Sequence, residues 1–220
     1  MPINSTIHTP RYLLAALAGA ALVLLCAPAM TGCSSPDRSW DTNASRSASD
    51  PVDAYKQRSK AEAIALFNQA SQLHEKGDFE DAMVKYRESI QKDNTIFAAW
   101  NNMGQLLMQQ KNYADAVSAY KIASDLQVSD PRPDYNIGLA YQIIGWGEES
   151  YTHFERSLER DPNYLPSLRG IVRSAEMLGA GDHRILEFIR SGQLRETDDQ
   201  WRTYFERQRF RVEKLIEEST

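Results

Sequence analysis

The sequence repeats a pattern every 34 residues. KGDFEDAMVKY (76–86) and QKNYADAVSAY (110–120) match in step, with an aromatic residue, an alanine and a tyrosine at equivalent places. A period of roughly 20 to 50 residues is typical of proteins built from small stacked units, because one unit alone cannot bury its apolar face. The spacing therefore predicts a stacked array of similar units.

Residues of similar type keep this period along the chain. Four columns stand 34 residues apart: Ala70, Gly104, Gly138 and Val172; Ala82, Ala116, Ser150 and Arg184; Tyr86, Tyr120, Phe154 and Phe188; and Ser89, Ala123, Ser157 and Ser191. A looser column holds Leu66, Trp100, Asp134 and Leu168, and a column of turns holds Gly77, Lys111, Gly145 and Gly179. No stretch alternates as a strand does, so the predicted class is all-α. Small residues fit where two helices cross closely, and an aromatic residue four positions later, on the same helix face, fills the gap towards the next unit.

These columns resemble the tetratricopeptide repeat, a unit of two antiparallel helices. WNNMGQLL (100–107), YADAVSAY (113–120) and Asp161-Pro162 carry the clearest parts of the resemblance. It implies an all-α solenoid of helix pairs over residues 51–194, with three clear repeats and a degenerate fourth. The implied repeats are 63–96, 97–130, 131–164 and 165–194.

Several residues depart from the pattern of this family. Asn94 and Val128 stand where a proline between repeats is usual, and Asp134 stands where the third unit should place a large apolar residue. Arg184 replaces the small residue of the fourth unit, so its helices are expected to pack less closely, as in a partly capping repeat.

A capping helix is predicted at residues 195–220, because a solenoid needs a terminal unit with a polar outer face. Thr197 and Gln200 have the spacing of a capping box at a helix start. Phe210 points away from the apolar face of this helix. That face holds Trp201, Tyr204, Phe205, Val212, Leu215 and Ile216.

An apolar run precedes the repeats. LLAALAGAALVLLCA (13–27) follows a basic start that contains Arg11 and no acidic residue, and Pro28 ends it. This order is typical of an export signal, which is predicted at residues 1–32. The alternative is a membrane-spanning helix, which needs about 20 apolar residues and disfavours a proline at its end.

MTGC (30–33) resembles the lipobox of bacterial lipoproteins, in which the cysteine is lipidated and becomes the new N-terminus. The resemblance implies a lipid anchor on Cys33; the alternative is a free thiol that seeks a disulfide partner. Residues 33–50 are rich in Ser, Asp and Arg, so they are predicted to form the lipidated N-terminus and a flexible tether. Ser34 resembles the pattern that sorts such proteins to the outer membrane. The expected location is therefore the bacterial cell envelope, with the periplasmic side of the outer membrane preferred to the inner membrane.

The charge balance argues against two classes of partner. The chain carries 25 Lys and Arg against 30 Asp and Glu, and loss of residues 1–32 would remove only Arg11 among them. A net-acidic chain lacks the basic footprint of a nucleic-acid-binding protein. It also lacks a polybasic patch for anionic lipids, so membrane attachment would depend on Cys33.

No catalytic or cofactor-binding motif is found. His74, His153 and His183 occupy unrelated positions of the period, without the spacing of a metal site. GWGEES (145–150) contains two glycines, but it follows a helix and lies at a predicted turn, unlike a phosphate-binding loop. We therefore predict no metal, no cofactor and no enzymatic activity.

The remaining functional surface is the concave groove that, in proteins resembling this one, is lined by the first helix of each repeat. Its mixture of amides, aromatic and aliphatic side chains suits an extended peptide or a helix. By register, the groove-facing positions are Ile64, Phe67, Ser71, His74, Asn101, Gln105, Met108, Arg132, Tyr135, Leu139 and Gln142. About half of them are expected to be ordinary solvated or packing residues.

Some members of this family bind chaperone C-termini through a clamp of Lys, Asn and Arg. Asn102 and Arg132 stand at matching positions, but Phe67 and Ser71 stand where the clamp has Lys and Asn, so chaperone-tail binding is not predicted.

The predicted role is a membrane-anchored scaffold that binds and positions an envelope protein. One possible client is a secretin or pilus subunit, which the protein would help to assemble as pilotin-like factors do. The other is a cell-wall hydrolase or a protease, for which the protein would act as an adaptor. The alternative is a structural lipoprotein that self-associates through Phe210 and the cap, without a groove ligand.

Overall fold

The computed structural model describes residues 50–219, where all regular structure is helical. The helices are α1 (Pro51–Lys76), α2 (Phe79–Lys92), α3 (Phe97–Gln109), α4 (Tyr113–Leu126), α5 (Arg132–Ile143), α6 (Gly147–Arg160), α7 (Leu165–Met177), α8 (His183–Arg195) and α9 (Asp199–Ser219). The predicted export signal, Cys33 and the tether up to residue 49 lie outside the described residues. Between residues 50 and 219, no helix combines the length and hydropathy needed to cross a membrane.

Consecutive helices form antiparallel pairs joined by short turns. Helices α1 and α2, α3 and α4, and α5 and α6 pack most extensively, and the turns between them are residues 77–78, 110–112 and 144–146. Helix α7 pairs with α8, and α9 packs on both. The predicted all-α solenoid of helix pairs with a terminal helix is confirmed.

The start of α1 follows local capping chemistry. Asp50 accepts a hydrogen bond from the backbone N–H of Val52 at 3.0 Å, and Pro51 is the first helical residue. An aspartate cap followed by a proline satisfies a free N–H group and supplies the φ angle that a helix start needs.

The turn within each unit uses a left-handed residue. Gly77, Gly145 and Gly179 have φ angles of 87°, 84° and 64°, and Lys111 has a φ angle of 60°. Such a residue closes a helix end, and glycine adopts it without steric cost. The column of turns predicted from the period is therefore confirmed, with Lys111 as its strained member.

Small residues and aromatic rings interlock where helices cross. A Cβ atom added to Gly104 would lie 2.7 Å from the ring of Tyr120, and one added to Gly138 would lie 2.9 Å from the ring of Phe154. The Phe154 ring also presses on Gly170 of the next unit, where a Cβ would lie 2.5 Å away. Each aromatic side chain thus packs against a backbone that has no room for a larger residue.

Asp134, the polar departure of the third unit, is buried and fully paired. It is 2% exposed, accepts hydrogen bonds from Ser124 Oγ at 3.1 Å and His153 Nδ1 at 3.1 Å, and forms an ion pair with Arg160 Nη2 at 2.7 Å. Burial opposes its ionisation, but these partners outweigh burial and lower the pKa of Asp134. A polar link therefore replaces apolar packing between the second and third units.

The second helix of the fourth unit does not keep the predicted register. The internal loop of this unit has five residues (178–182) where the two preceding units have three, and Asp182 caps α8 by accepting from Ile185 N at 2.8 Å. Helix α8 therefore begins at His183, which is 36 residues after Gly147 begins α6, and not 34. The predicted equivalence of Arg184, Phe188 and Ser191 with the earlier columns is wrong. The buried residues of α8 are Ile185, Leu186, Ile189 and Gly192.

Helix α9 closes the end of the stack. Phe205 and Val212 are fully buried, and a Cβ added to Gly192 would lie 2.5 Å from the Phe205 ring. Phe210 is 57% exposed, as its position opposite the apolar face predicts. The predicted capping box at Thr197 is wrong, because the Asp198 carboxylate accepts from Gln200 N and Trp201 N at 2.9 and 3.1 Å.

Candidate functional site

The groove positions of the first unit surround one tyrosine. Phe67 packs on the Tyr86 ring with centroids 6.0 Å apart, and Ser71 Oγ lies 3.4 Å from the Tyr86 hydroxyl. His74 Nδ1 lies 3.5 Å from the same hydroxyl, and burial lowers the pKa of His74. Asn102 of the second unit donates to this hydroxyl at 3.3 Å. Tyr86 therefore joins the first two units beneath the groove.

The groove positions of the second unit differ in exposure. Gln105 is exposed, whereas Met108 is half-buried against the core. Asn101 is 4% exposed, and its amide lies 3.4 Å from Asn102 Oδ1 and 3.5 Å from Asn136 Nδ2. Asn101 thus lies in the floor of the groove, and Gln105 offers the free polar group.

Arg132 is held by a neighbouring carboxylate. Its guanidinium donates to both oxygens of Asp130, at distances of 2.5 to 3.0 Å, and it lies 5.6 Å from the centroid of the Phe97 ring. These hydrogen bonds from Arg132 lower the pKa of Asp130. With Asn102 bonded to Tyr86, both residues at clamp-matching positions have intramolecular partners.

Tyr135, Leu139 and Gln142 of the third unit line one cavity of about 180 Å³. The Tyr135 ring contacts the rings of Phe154 and Tyr164, with centroids 5.8 and 5.7 Å apart, and burial raises the pKa of Tyr135. Gln142 donates to Gly170 O at 3.1 Å and to Ser174 Oγ at 3.0 Å, which ties α5 to α7. The cavity is completed by Phe154, Pro166, Arg169, Gly170, Arg173 and Trp201.

Six of the lining residues were absent from the predicted groove positions, among them Arg169, Arg173 and Trp201. Arg169 and Arg173 follow Tyr135 and Leu139 by 34 residues, so the period extended by one unit identifies both of them. Trp201 belongs to α9, for which the sequence predicted only a capping role.

Arg169 fixes the wall formed by α9. Its guanidinium donates to both oxygens of Glu196 at 2.7 Å, and its Cζ lies 4.8 Å from the centroid of the Trp201 ring. The hydrogen bonds from Arg169 lower the pKa of Glu196, whose carboxylate also accepts from the backbone N–H groups of Thr197 and Asp198. A bidentate pair of this kind sets geometry as well as energy.

A second cavity of about 390 Å³ adjoins the first and shares Arg173 and Trp201 with it. Gln200, Glu176 and Tyr204 complete its lining. The Tyr204 hydroxyl donates to Glu176 Oε2 at 2.8 Å, and burial together with this carboxylate raises the pKa of Tyr204. We call the two cavities together the α5–α7–α9 groove.

The chemistry of this groove is that of a binding surface. Aromatic and aliphatic walls surround two guanidinium groups, two amides and the Glu176 carboxylate, a composition that suits an extended peptide. Within residues 50–219, no group of three or more His, Cys, Asp or Glu side chains is placed to hold a metal ion.

Comparison with known proteins identifies the repeats. A family model described as the tetratricopeptide repeat matches residues 97–127 and 135–164. Tetratricopeptide repeat protein 28 of Homo sapiens is 30% identical over 135 residues, which are 61% of this chain and 5% of that protein. This chain therefore corresponds to a small part of the length of that relative.

Solved structures show the same fold. The structure of MamA superposes with a TM-score of 0.55 at 18% identity, over 65% of this chain and 79% of MamA. The first tetratricopeptide repeat domain of Spaghetti (RPAP3), bound to the HSP90 peptide SRMEEVD, superposes with a TM-score of 0.52 at 21% identity, over 55% of this chain and 96% of that domain. Residues 97–127 and 135–164 thus match the tetratricopeptide repeat, and they lie within a helix-pair solenoid of the same fold as these structures.

Proposed function

We propose that this protein binds an extended segment of another protein in the α5–α7–α9 groove and its continuation along α3 and α1. The observation that carries the proposal is the pair of adjoining cavities in which Tyr135 and Leu139 face Arg173 and Trp201. Aromatic and arginine side chains that line a concavity are the residue types that dominate binding energy in protein interfaces. The RPAP3 domain of similar fold holds a peptide, which supports this use of the fold.

The test is cross-linking in cells followed by mass spectrometry of captured proteins. Full-length protein is compared with a Tyr135→Ala, Trp201→Ala variant and with Trp146→Ala as matched control, because Trp146 is 54% exposed at the turn between α5 and α6. We expect a partner that wild type and control capture and that the groove variant loses. A partner profile identical in all three proteins would refute a role for the groove.

We further propose that a lipid on Cys33 anchors the protein in a bacterial envelope and that the groove positions a client there. The support is the apolar run followed by MTGC and Ser34 in the sequence. Cys33→Ala should then leave an uncleaved precursor without lipid, seen by intact-mass spectrometry, and membrane fractionation should place wild type in the outer membrane. Normal processing of the variant to a lipid-free chain would contradict the anchor, and recovery in the inner membrane would contradict the location.

Two kinds of client fit this proposal. A secretin or pilus subunit captured by the groove would make the protein a pilotin-like assembly factor. Capture of a cell-wall hydrolase or a protease would make it an adaptor for that enzyme. The cross-linking experiment separates the two by the identity of the protein that the groove variant loses.

Self-association is the second candidate function, and one observation favours it. Phe210 is 57% exposed on the outer side of α9, with the Arg209 guanidinium 5.0 Å from its ring centroid. Analytical ultracentrifugation over a range of concentrations should then show dimers that Phe210→Ala dissociates. A monomer at every concentration would exclude this function.

A further inference from the structure

Charge is unevenly distributed along the groove. Among the groove positions of α1, α3 and α5, Arg132 alone has a permanent charge, and Asp130 neutralises it. The equivalent positions of α7 are both arginines, Arg169 and Arg173. The cationic character of the groove is therefore concentrated at α7.

Only one of these two arginines is free to meet a ligand. Both oxygens of Glu196 hold Arg169, and the side chain of Glu196 is fully buried. Arg173 is exposed and forms no ion pair or hydrogen bond with another residue in the described part of the chain. Arg173 lines the first cavity together with Tyr135 and the second together with Tyr204, so it borders both cavities.

The surroundings of Arg173 select the type of anion. Glu176 lies one helical turn further along α7 and lines the same cavity, where it accepts from the Tyr204 hydroxyl. A single guanidinium next to a fixed carboxylate matches a singly charged group, which it can bind with two parallel hydrogen bonds. A doubly charged phosphate would meet repulsion from Glu176, which Arg207 Nη2 contacts only at 3.9 Å, and the other arginine of the cavities, Arg169, is held by Glu196.

The shape of the groove distinguishes a side chain from a chain terminus. Arg173 and Trp201 line both cavities, so the cationic position lies in the middle of the groove with space on either side. A peptide can therefore pass through in extended form, its acidic side chain at Arg173 and an apolar neighbour between Tyr135, Leu139 and Trp201.

We propose that Arg173 binds the carboxylate side chain of an aspartate or glutamate within the extended partner segment. This inference rests on the proposed binding function of the groove. It names the ligand chemistry that the groove recognises, an acidic residue next to an aromatic or aliphatic one, and it gives Arg173 the role of specificity determinant.

The probe is a synthetic library of random peptides with amidated C-termini, screened against the full-length protein in mild detergent. Amidation removes the terminal carboxylate, so any acid that is selected belongs to a side chain. The variants are Arg173→Gln, the groove variant Tyr135→Ala, Trp201→Ala, and Arg156→Gln as control. Arg156 is an exposed arginine of α6 that lines neither groove cavity and has no ion pair among the described residues.

We expect wild type and Arg156→Gln to enrich peptides with an acidic residue beside an aromatic or aliphatic one. Arg173→Gln should lose this selection and bind the best peptide at least about tenfold more weakly, as expected for loss of a charged hydrogen bond. Replacing the acidic residue of that peptide by its amide should weaken binding to wild type by the same factor and leave binding to Arg173→Gln unchanged.

Three results would overturn the inference: enrichment without an acidic residue, acid selection that survives in Arg173→Gln, or enrichment that appears only when the same library is screened with free C-terminal acids. The proposed function itself fails in a different way. In that case wild type enriches no peptide from either form of the library, or the groove variant enriches the same peptides as wild type.

Discussion

Replacing Asp134 by alanine should lower the free energy of unfolding by about 3 kcal/mol. Its carboxylate is 2% exposed and lies within 3.1 Å of side-chain atoms of Ser124, His153 and Arg160. Alanine removes the acceptor and leaves these groups facing a cavity between the second and third units. Deleting one partner of a buried ion pair costs about 3–5 kcal/mol, because the other charge stays buried without compensation.

The lower end of that range applies here because Arg160 keeps other acceptors. Its guanidinium donates to Asp130 O at 3.1 Å and to Ser124 Oγ at 2.6 Å, and its side chain is 19% exposed. His153 keeps its ring contact with Tyr141, with centroids 5.6 Å apart. Partial solvation and these remaining contacts limit the loss.

A double-mutant cycle separates the ion pair from the cavity. Asp134→Leu restores the apolar residue that Leu66, Trp100 and Leu168 supply in the other units, and Arg160→Met removes the opposing charge. Because apolar replacement of a whole buried pair is often neutral, the double variant should be at least about 2 kcal/mol more stable than the sum of the single effects predicts.

The assay is urea denaturation of residues 34–220, followed by far-UV circular dichroism. Hydrogen exchange of the native protein accompanies it, because repeat arrays can depart from two-state unfolding. Asp125→Ala is the control, since Asp125 is an exposed acid of α4 and should change stability by less than about 0.5 kcal/mol. Additivity of Asp134→Leu and Arg160→Met within about 0.5 kcal/mol would refute the coupling.

Three further substitutions, the first with a matched control, test the fold and its electrostatics. Lys111→Gly should raise the free energy of unfolding by roughly 1 kcal/mol, because the φ angle of 60° strains any residue other than glycine. The control Lys121→Gly, inside α4, should lower the free energy of unfolding by about 1 kcal/mol. Equal effects of the two substitutions in urea denaturation would contradict the strain at Lys111. Gly170→Ala should lower the free energy of unfolding by about 1–3 kcal/mol and reduce Tm, because the added Cβ would lie 2.5 Å from the Phe154 ring. Helix propensity alone predicts a raised Tm, and that result would show that the ring can move. Hydrogen bonds from Arg169 and from backbone N–H groups lower the pKa of Glu196 in the folded protein. Glu196 therefore stabilises the fold at pH values above its pKa in the unfolded chain, about 4.3, and this stabilisation is lost as the pH falls through the pKa of the folded state. The stability difference between wild type and Glu196→Gln should therefore shrink on acidification, and a difference independent of pH would contradict this pairing.

The 34-residue period predicted those parts of the fold that depend on close backbone contact. Gly104 and Gly138 leave no room for a Cβ beneath Tyr120 and Phe154, so these positions tolerate few residue types and their spacing is visible in the sequence. The positive φ angle at Gly145 has the same effect on the turns. Steric constraints of this kind are local and strict, which is why residue identity alone reveals them.

The second helix of the fourth unit departs from the period because a local signal decides its register. Asp182 is a strong helix cap, and its hydrogen bond to Ile185 N sets the start of α8 after a longer loop. The buried positions of α8 are therefore shifted along the sequence, and Ile189 is buried where the period predicts Phe188. Asp198 overrides Thr197 at the start of α9 in the same manner.

The candidate site was predictable as far as the period extends. Tyr135, Leu139 and Gln142 lie together in one cavity, and a further step of 34 residues leads from Tyr135 to Arg169. The period does not identify Trp201 as a groove residue, because Trp201 lines the groove through the contact of its ring with the Arg169 guanidinium. That contact depends on the path of the chain between α8 and α9, which no repeat column describes.

Helix α9 continues the solenoid as a first helix without a second. It begins at Asp199, 34 residues after Leu165 begins α7, and its Phe205 packs on Gly192 of α8. One helix therefore closes the core with Phe205 and lines the groove with Trp201, while the pair of Arg169 with Glu196 holds the preceding loop in place. Because the cap and the groove wall share this helix, a change that loosens the Glu196 loop should weaken ligand binding and lower stability together, whereas a change at the exposed Arg173 should weaken binding alone.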